Sequence, residues 1–301
     1  MKKNLKTSMA LAVLAAFVLL TATGCTGKSA SKKDPVRIGS KNFTENLILA
    51  EIYALALEDS GIPVVRNFNL ASSVVHTALV NNEIDLYPEY TGTGLLSVLQ
   101  HELVTDPQQV YAIVKDEYAK RFNLVWLDYA QANDGQGLVV TAKISNALGI
   151  KTISDLQKNS SSIRFASQGE FDQREDGIPA LTAVYGPFAF KSSKIYDNAL
   201  KYQVLLQDEA DAAPAYTTEG QLATGDFVLL DDDKHVWPPY NIAPVVRQNV
   251  LEKYPAIAEI LNRVNSHIST AAITALNAQV DVDKKEYEDV AKTFYVNTAK
   301  K

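Results

Sequence analysis

The chain has 301 residues, of which 47% are hydrophobic and 21% are charged, a composition that suits one large or two medium globular units. Its 29 basic and 35 acidic residues give a formal net charge of −6, which is a poor electrostatic match to nucleic acid. A single cysteine excludes any intrachain disulfide, so the fold must rest on its hydrophobic core.

The first 24 residues have the pattern of a secretory signal. Lysines precede an apolar run from Met9 to Leu20, which is too short to span a bilayer. The run ends in Gly24 and Cys25, and a small residue before a lone cysteine is typical of a lipoprotein signal. The sequence therefore predicts a lipoprotein signal peptide over 1–24 and lipidation of Cys25. An ordinary cleavable signal stays open, because Ala22 stands where lipoprotein signals more often carry Leu.

Residues 25–35 are small, polar and basic, which indicates a flexible tether between the lipid and the folded part of the chain. No second long apolar run follows, so the lipid is the only membrane attachment that the sequence predicts. Together these features predict an extracytoplasmic protein that is lipid-anchored to the cell membrane. No feature of the sequence indicates an oligomer, and we expect a monomer.

Beyond Pro35, strand patterns alternate with segments whose apolar residues recur at helical spacing. The predicted elements are strands at 36–40, 64–68, 84–87, 138–140 and 163–166, helices at 44–61, 72–80, from 153, 178–185 and 196–206, and a mainly helical tail over 250–295. Residues 211–216 are expected to lead into a turn. Strands that alternate with helices favour parallel sheets with helices on both faces. The sequence shows no repeat at a fixed period.

The alternation occurs twice, which predicts two α/β lobes. We place the first lobe at 36–135 plus 242–301 and the second at 138–237. Two segments then cross between the lobes, near Gln136 and near Pro239.

Three segments combine tyrosine with proline or glycine: 87–93, 214–219 and 237–241. Each follows a predicted strand, at the edge where open α/β sheets bind ligands. A stiff or tight backbone can present a tyrosine ring face, and several such faces form a box for a quaternary ammonium group. On residue patterns alone, packing tyrosines at the lobe edges are the favoured interpretation.

Five segments in order resemble the glycine betaine, carnitine and choline binding proteins of osmoprotectant ABC importers. They are 36–45, 89–93, 174–177, 214–218 and 238–240, and the resemblance covers about 36–298. It implies a two-lobed type II periplasmic-binding-protein fold with two crossover segments. It also implies capture of a quaternary-ammonium solute for an ABC permease and its ATPase subunits, with no cofactor and no enzymatic activity.

The resemblance also implies the ligand site. An aromatic box would take the ammonium head, and its matching positions are Tyr90, Tyr216 and Tyr240. A second group would take the carboxylate, and its matching positions are Lys41, Thr93 and Arg174. Arginine suits this role because its planar fork binds a carboxylate in two places.

One position departs from the family pattern. Many members carry a further box tyrosine where this chain has Gln136, whose amide offers hydrogen bonds instead of a ring face. The box would then be three-sided, or shaped for a larger ligand such as carnitine, a choline-like solute or ergothioneine. Alternatively, Tyr129 or another aromatic residue fills that wall.

No motif favours an enzyme or a metal site. The four histidines lack metal-ligand spacing, and Asp231–Asp233 reads as a solvated turn. There is no phosphate loop and no nucleophile elbow. Two other binding functions stay open: a solute receptor not coupled to transport, and an amino-acid binding protein in which Glu89 or Asp134 meets a primary ammonium.

Overall fold

The computed structural model describes residues 34–300. The predicted signal peptide, Cys25 and nearly all of the predicted tether lie outside the described residues. Within the described range, no helix combines the length and the apolar character that a membrane span requires.

The described chain contains ten strands and thirteen α-helices. The strands are β1 (Val36–Lys41), β2 (Val64–Leu70), β3 (Leu86–Tyr90), β4 (Leu124–Trp126), β5 (Gln136–Thr141), β6 (Arg164–Ser167), β7 (Ser192–Ile195), β8 (Ala212–Tyr216), β9 (Phe227–Leu229) and β10 (Ile242–Arg247). The helices are α1 (Thr44–Asp59), α2 (Ser72–Val80), α3 (Thr91–Thr93), α4 (Pro107–Phe122), α5 (Ala142–Leu148), α6 (Ile153–Asn159), α7 (Gly169–Gln173), α8 (Ile178–Tyr185), α9 (Lys201–Leu206), α10 (Gln248–Lys253), α11 (Ala256–Asn265), α12 (Thr270–Asp281) and α13 (Tyr287–Phe294). Short 3₁₀ turns cover Ser160–Ser162, Asn198–Leu200 and Gly220–Thr224, and π-helical turns cover Gly94–Val98 and Tyr295–Ala299.

Two five-stranded sheets form two lobes, which confirms the predicted two-lobed α/β fold. The first sheet has the order β2-β1-β3-β10-β4 and the second the order β7-β6-β8-β5-β9. The chain passes from the first sheet to the second between β4 and β5 and returns between β9 and β10. The two crossing segments lie side by side, with an antiparallel bridge between Asn133 and Asn241.

Both sheets are mixed, which corrects the prediction of parallel sheets. In the first sheet β10 runs antiparallel to β3 and to β4, and in the second β5 runs antiparallel to β8 and to β9. Each antiparallel strand is the one that enters its lobe from a crossing segment. No right-handed β-helix-β connection fixes its direction, so the rule behind the prediction does not apply to it.

The long helix α1 is the centre of the first lobe's core. Most of its residues are buried, including Ile48, Leu49 and Ile52, because it packs on β1 and β2 while the tail helices α11, α12 and α13 cover it. A helix that is apolar on most of its faces is stable only when it is buried in this way. The N-terminus of α1 is thereby held rigidly at the edge of the sheet where β1 ends.

The two lobes share one topology. The strands β1, β2, β3, β10 and β4 correspond in order and direction to β6, β7, β8, β5 and β9. The match extends to side chains. The backbone N–H and Nε of Arg37 donate to Asp85 Oδ2 at 2.8 and 3.0 Å, and those of Arg164 donate to Asp211 Oδ2 at 2.8 and 2.9 Å.

This internal repeat was not evident from the sequence. The segments 85–94 and 211–220 share an aspartate, a proline, a Tyr-Thr pair and a glycine at the same spacing. The sequence separation between Arg37 and Arg164 differs by one residue from the separation between Asp85 and Asp211. A search at one fixed period therefore misses the relationship.

Candidate ligand-binding site

A cavity of about 540 Å³ lies between the strand ends of the two lobes, a size typical of small-molecule sites. The first lobe contributes the loop after β1 and the N-terminus of α1, together with the C-terminal part of α12. The second lobe contributes α7, the segment before α9, and the residues that follow β8. Segments from both lobes line the cavity, so a ligand there would contact both.

Phe43 and Tyr216 face each other from opposite lobes across this region. Their rings are nearly parallel, at 11°, with centroids 6.1 Å apart. Both residues line the cavity. Phe43 also lies 6.0 Å from the ring of Tyr90. Sequence reasoning placed Tyr216 in the site but missed Phe43, although Phe43 lies within the segment 36–45 that resembles the family.

Tyr90 and Lys41 lie behind the cavity wall. Tyr90 is only 3% exposed, and its hydroxyl donates to Glu45 Oε1 at 3.0 Å. The Nζ of Lys41 lies over the Tyr90 ring, 4.8 Å from its centroid. Lys41 is buried and forms an ion pair with Glu89, which also accepts a hydrogen bond from Tyr87 at 2.6 Å. The charge of Lys41 is therefore neutralised inside its own lobe.

Three further first-lobe residues that the sequence suggested for the site do not line the cavity: Thr93, Tyr129 and Glu89. Thr93 is partly buried in α3 and does not line the cavity. Tyr129 packs edge-on against Tyr111, with centroids 4.9 Å apart, and does not line the cavity. Glu89 accepts hydrogen bonds from Lys41 and Tyr87 in this structure and does not line the cavity.

Asp176 joins three of the predicted residues. Arg174 binds it with two hydrogen bonds of 2.7 and 2.6 Å, Tyr240 donates its hydroxyl at 2.7 Å, and Gln136 donates Nε2 at 3.3 Å. Burial favours a higher pKa for Asp176, but the hydrogen bonds and charge of Arg174 hold that pKa below its ordinary value. Asp176 thus stays ionised and occupies the guanidinium fork. Sequence reasoning missed it, although it lies within the family-like segment 174–177.

Of these three residues, only Arg174 reaches the cavity wall. Tyr240 is fully enclosed, and its ring lies against Gly92, where a Cβ would come within 2.7 Å of the ring. Gln136 is also buried, opposite Tyr216 in the β5–β8 pairing, and its Oε1 has no hydrogen-bond partner among residues 34–300. The roles of Tyr240 and Gln136 in ligand binding stay predictions.

Lys201 is a cavity residue that sequence reasoning did not identify. It is 2% exposed and forms an ion pair with Glu219, whose second oxygen accepts from Tyr202. Its Nζ lies 5.4 Å from the centroid of the Tyr216 ring. A buried lysine at the start of a helix is not visible in a pattern of apolar spacing.

Two buried acids, Glu45 and Asp134, meet at the cavity wall. Thr218 Oγ1 lies 2.6 Å from Glu45 Oε2 and 2.7 Å from Asp134 Oδ1. Asn277 Nδ2 also donates to Glu45 Oε2, at 2.9 Å. Burial raises the pKa of Glu45 against these hydrogen bonds, and burial together with the charge of Glu45 raises the pKa of Asp134 well above its ordinary value.

Two α/β lobes with a ligand-sized cavity between their strand ends are an architecture typical of solute-binding proteins. Residues 34–297 match the family model of the substrate binding domain of ABC-type glycine betaine transport systems. The chain belongs to this family, and it is a solute-binding protein and not an enzyme.

Relatives and a solved structure agree with this assignment. The chain is 33% identical over 287 residues to the ergothioneine transport permease/ergothioneine binding protein EgtU of Helicobacter pylori (strain G27); the match covers 94% of the chain but only 51% of that protein. It is 31% identical to the carnitine transport binding protein OpuCC of Listeria monocytogenes, with 98% and 96% covered. A crystal structure of a glycine betaine/carnitine/choline ABC transporter superposes with a TM-score of 0.73 at 27% identity, covering 87% of this chain and 97% of the other. The predicted periplasmic-binding-protein fold is thereby confirmed.

Proposed function

We propose that the chain is an extracytoplasmic lipoprotein that captures a quaternary-ammonium compound of the betaine, carnitine or choline type and delivers it to an ABC permease. The observation that carries the proposal is the pair Phe43 and Tyr216, two ring faces that belong to different lobes and line one cavity. A trimethylammonium group cannot donate hydrogen bonds, and ring faces attract its spread charge.

The position of the two rings links binding to closure. A ligand that contacts Phe43 and Tyr216 together stabilises the arrangement in which the lobes are close. The crossing segments at Asn133 and Asn241 would act as the hinge for this movement. We propose that the permease recognises the closed arrangement, with the first lobe at 36–135 plus 242–301 and the second at 138–237.

The carboxylate end of the proposed ligand requires a rearrangement. Lys41 and Arg174 are each paired with an acid in this structure, and Thr93 does not line the cavity. Arg174 is the best placed of the three, because it already lies on the cavity wall. A ligand carboxylate would compete with Asp176 for the guanidinium of Arg174.

A larger betaine, such as ergothioneine, is the second candidate. It is supported by the cavity of about 540 Å³, which has room for more than glycine betaine. Gln136, which stands where many family members carry a box tyrosine, does not line the cavity, so its Oε1, which has no partner within residues 34–300, would meet such a ligand only after a rearrangement.

A thermal-shift screen of the full chain in non-ionic detergent tests the proposal. The compounds are glycine betaine, carnitine, choline, ergothioneine and the common amino acids. A ligand at 100 times its Kd raises the free energy of unfolding by about 2.7 kcal/mol. We expect stabilisation by at least one quaternary-ammonium compound. Stabilisation by an amino acid alone would refute the proposal.

A further inference from the structure

The acids Glu45 and Asp134 come from separate parts of the fold and meet at the cavity. Glu45 lies in the first turn of α1, and Asp134 lies in the crossing segment just before β5. They are 3% and 5% exposed, and both line the cavity. An ionised carboxylate at such a depth is costly unless a cation or several hydrogen-bond donors compensate it.

No cation compensates this pair. On the cavity wall, Arg174 is bound to Asp176 and Lys201 to Glu219. Lys284 donates to a backbone carbonyl. Among residues 34–300, neither Glu45 nor Asp134 forms an ion pair.

The remaining neighbours add no positive charge. The titratable groups that face the pair are the phenols of Tyr90, Tyr202 and Tyr216 and the acid Glu219. Asp281, another wall acid, accepts a hydrogen bond from Thr44 at 2.6 Å. The titratable groups that surround Glu45 and Asp134 are therefore acids and neutral hydroxyls.

Donors are unevenly shared between the two acids. Glu45 accepts hydrogen bonds from Tyr90 and Asn277, whereas the donor near Asp134 is the hydroxyl of Thr218. Thr218 lies within hydrogen-bond distance of both acids, but its hydroxyl has one hydrogen and can donate to only one of them. In the ligand-free chain, a proton shared by the acids would supply the missing donor, in line with their raised pKa values. A donor from the ligand would replace that proton.

Asn277 provides an independent sign of a missing donor. It is 3% exposed and lines the same cavity. Its Nδ2 donates to Glu45 and to the carbonyl of Thr218, which fixes the orientation of the amide. Its Oδ1 then has no hydrogen-bond partner within the described chain. A buried acceptor without a donor is costly, and a ligand N–H can satisfy it.

We infer that Glu45 and Asp134, with the Oδ1 of Asn277, form a hydrogen-bond-accepting subsite for an N–H group of the ligand. The inference rests on the proposed function, because it concerns a second part of a ligand whose ammonium head contacts Phe43 and Tyr216. A quaternary ammonium has no N–H. The donor is therefore either a ring N–H elsewhere in the ligand or an N–H on an incompletely methylated ammonium.

Calorimetry with three probes tests the subsite on the full chain near neutral pH. Glycine betaine has no N–H, dimethylglycine carries one on its ammonium, and histidine betaine carries one on its ring and keeps the quaternary head. We expect one N–H-bearing probe to bind about tenfold to a hundredfold more tightly than glycine betaine, the effect of one hydrogen bond to a charged group. The tighter probe identifies the source of the N–H.

Proton release is a second readout. Because the ligand donor replaces a proton, binding of the tighter probe should release about one proton and strengthen as pH rises. Titrations in buffers of different ionisation enthalpy measure this number. Asp134→Asn and Glu45→Gln keep the side-chain shapes but cannot ionise, so each should remove both the preference and the proton release. Asp281→Asn, which removes another wall acid, should keep both.

The outcomes distinguish failure of the proposed subsite from failure of the proposed function. If glycine betaine binds and no N–H-bearing probe binds more tightly, the subsite is wrong. It is also wrong if the Asp134 and Glu45 variants weaken all three probes equally, or if Asp281→Asn removes the preference. If no quaternary-ammonium compound binds the wild-type chain, the proposed function itself fails.

Discussion

Tyr90 and Tyr216 occupy equivalent positions at the ends of β3 and β8, yet only Tyr216 lines the cavity. Each ring has a lysine Nζ over its face, Lys41 at 4.8 Å and Lys201 at 5.4 Å. Each lysine is in turn paired with a glutamate. The two lobes thus contain the same tyrosine–lysine–glutamate unit.

The equivalence explains part of the site. Glu89 precedes Tyr90 by one residue, whereas Glu219 follows Tyr216 by three residues. The same three side-chain types therefore come together in both lobes although the glutamates lie at different sequence positions relative to the tyrosines. In the first lobe the unit is enclosed under Phe43, whereas in the second it reaches the cavity. We therefore expect ligand specificity to depend more on the unit of the second lobe, which lines the cavity.

Removing Arg174 should affect folding as well as binding. In this structure the guanidinium neutralises buried Asp176, and loss of one partner of a buried pair typically costs about 3–5 kcal/mol. We expect Arg174→Ala to lower the free energy of unfolding on that scale, and Arg174→Ala with Asp176→Asn to recover most of it. Urea denaturation measures both.

The double variant then isolates the ligand effect. If Arg174 binds the ligand carboxylate, the double variant should lose any preference for glycine betaine over choline, which has the same head without the carboxylate. A preference that survives unchanged would show that Arg174 serves the fold alone.

The fold was largely predictable because helix and strand periods differ and the alternation was regular. The strands β4, β7, β8, β9 and β10 and the helix α4 were not predicted, and the helix predicted at 196–206 begins only at Lys201. In β8 the Ala-Pro run reads as a turn, since proline cannot donate within a sheet. Pro214 nevertheless lies in a central strand, as does Pro88 at the equivalent position of β3. Only the partner strands and the repeat between lobes reveal that both segments are strands.

The ligand-free stability should depend on pH through Asp134. Its pKa is raised well above its ordinary value by burial and by the charge of Glu45. A carboxyl with a higher pKa in the folded chain contributes stability at low pH and loses it as pH rises through the folded pKa. We expect the wild type to lose stability relative to Asp134→Asn as pH rises above about 4, the ordinary pKa of aspartate. Urea denaturation across pH checks this; a constant gap would contradict it.

Gly220 should tolerate no side chain where the lobes touch. A Cβ there would lie 2.4 Å from the Cα of Ala278 in α12 and 2.5 Å from its backbone nitrogen. Backbone cannot yield as a side chain can, so Gly220→Ala should destabilise by about 1–3 kcal/mol, the range for overpacking. Gly135→Ala is the matched control, since its Cβ would meet Thr217 at an ordinary 3.5 Å. Equal denaturation midpoints for both variants would show that the lobes shift freely at this contact.

The site was less predictable than the fold because pairing between side chains is invisible in a sequence. The predicted charges Lys41 and Arg174 are real, but each is neutralised by an acid that spacing alone did not link to it. Phe43 and Lys201 reach the cavity through the way the lobes meet, which no local pattern encodes. Asp134 was identified only as a possible partner for an ammonium, and its contact through Thr218 with Glu45 needed the structure.

The membrane anchor makes a prediction of its own. If Cys25 carries the lipid, Cys25→Ser should release the protein into the medium or leave it as an unprocessed precursor. Membrane fractionation together with mass spectrometry measures both. The expected result is a shift from the membrane fraction or the mass of the full precursor. An unchanged fraction and an unchanged mass would exclude lipidation at this residue.

The most direct test of the central claim measures how the aromatic rings that line the cavity contribute to ligand binding. Calorimetry compares the wild type with Tyr216→Phe, Tyr216→Leu and Phe43→Leu, using glycine betaine, carnitine and choline. We expect one ligand per chain, little change for Tyr216→Phe, and a loss of about 0.5–2 kcal/mol of binding free energy for each Leu variant, the range for a lost cation–π contact. Equal affinity in all four proteins, or no binding of these three compounds or of ergothioneine, would contradict a quaternary-ammonium site between the lobes.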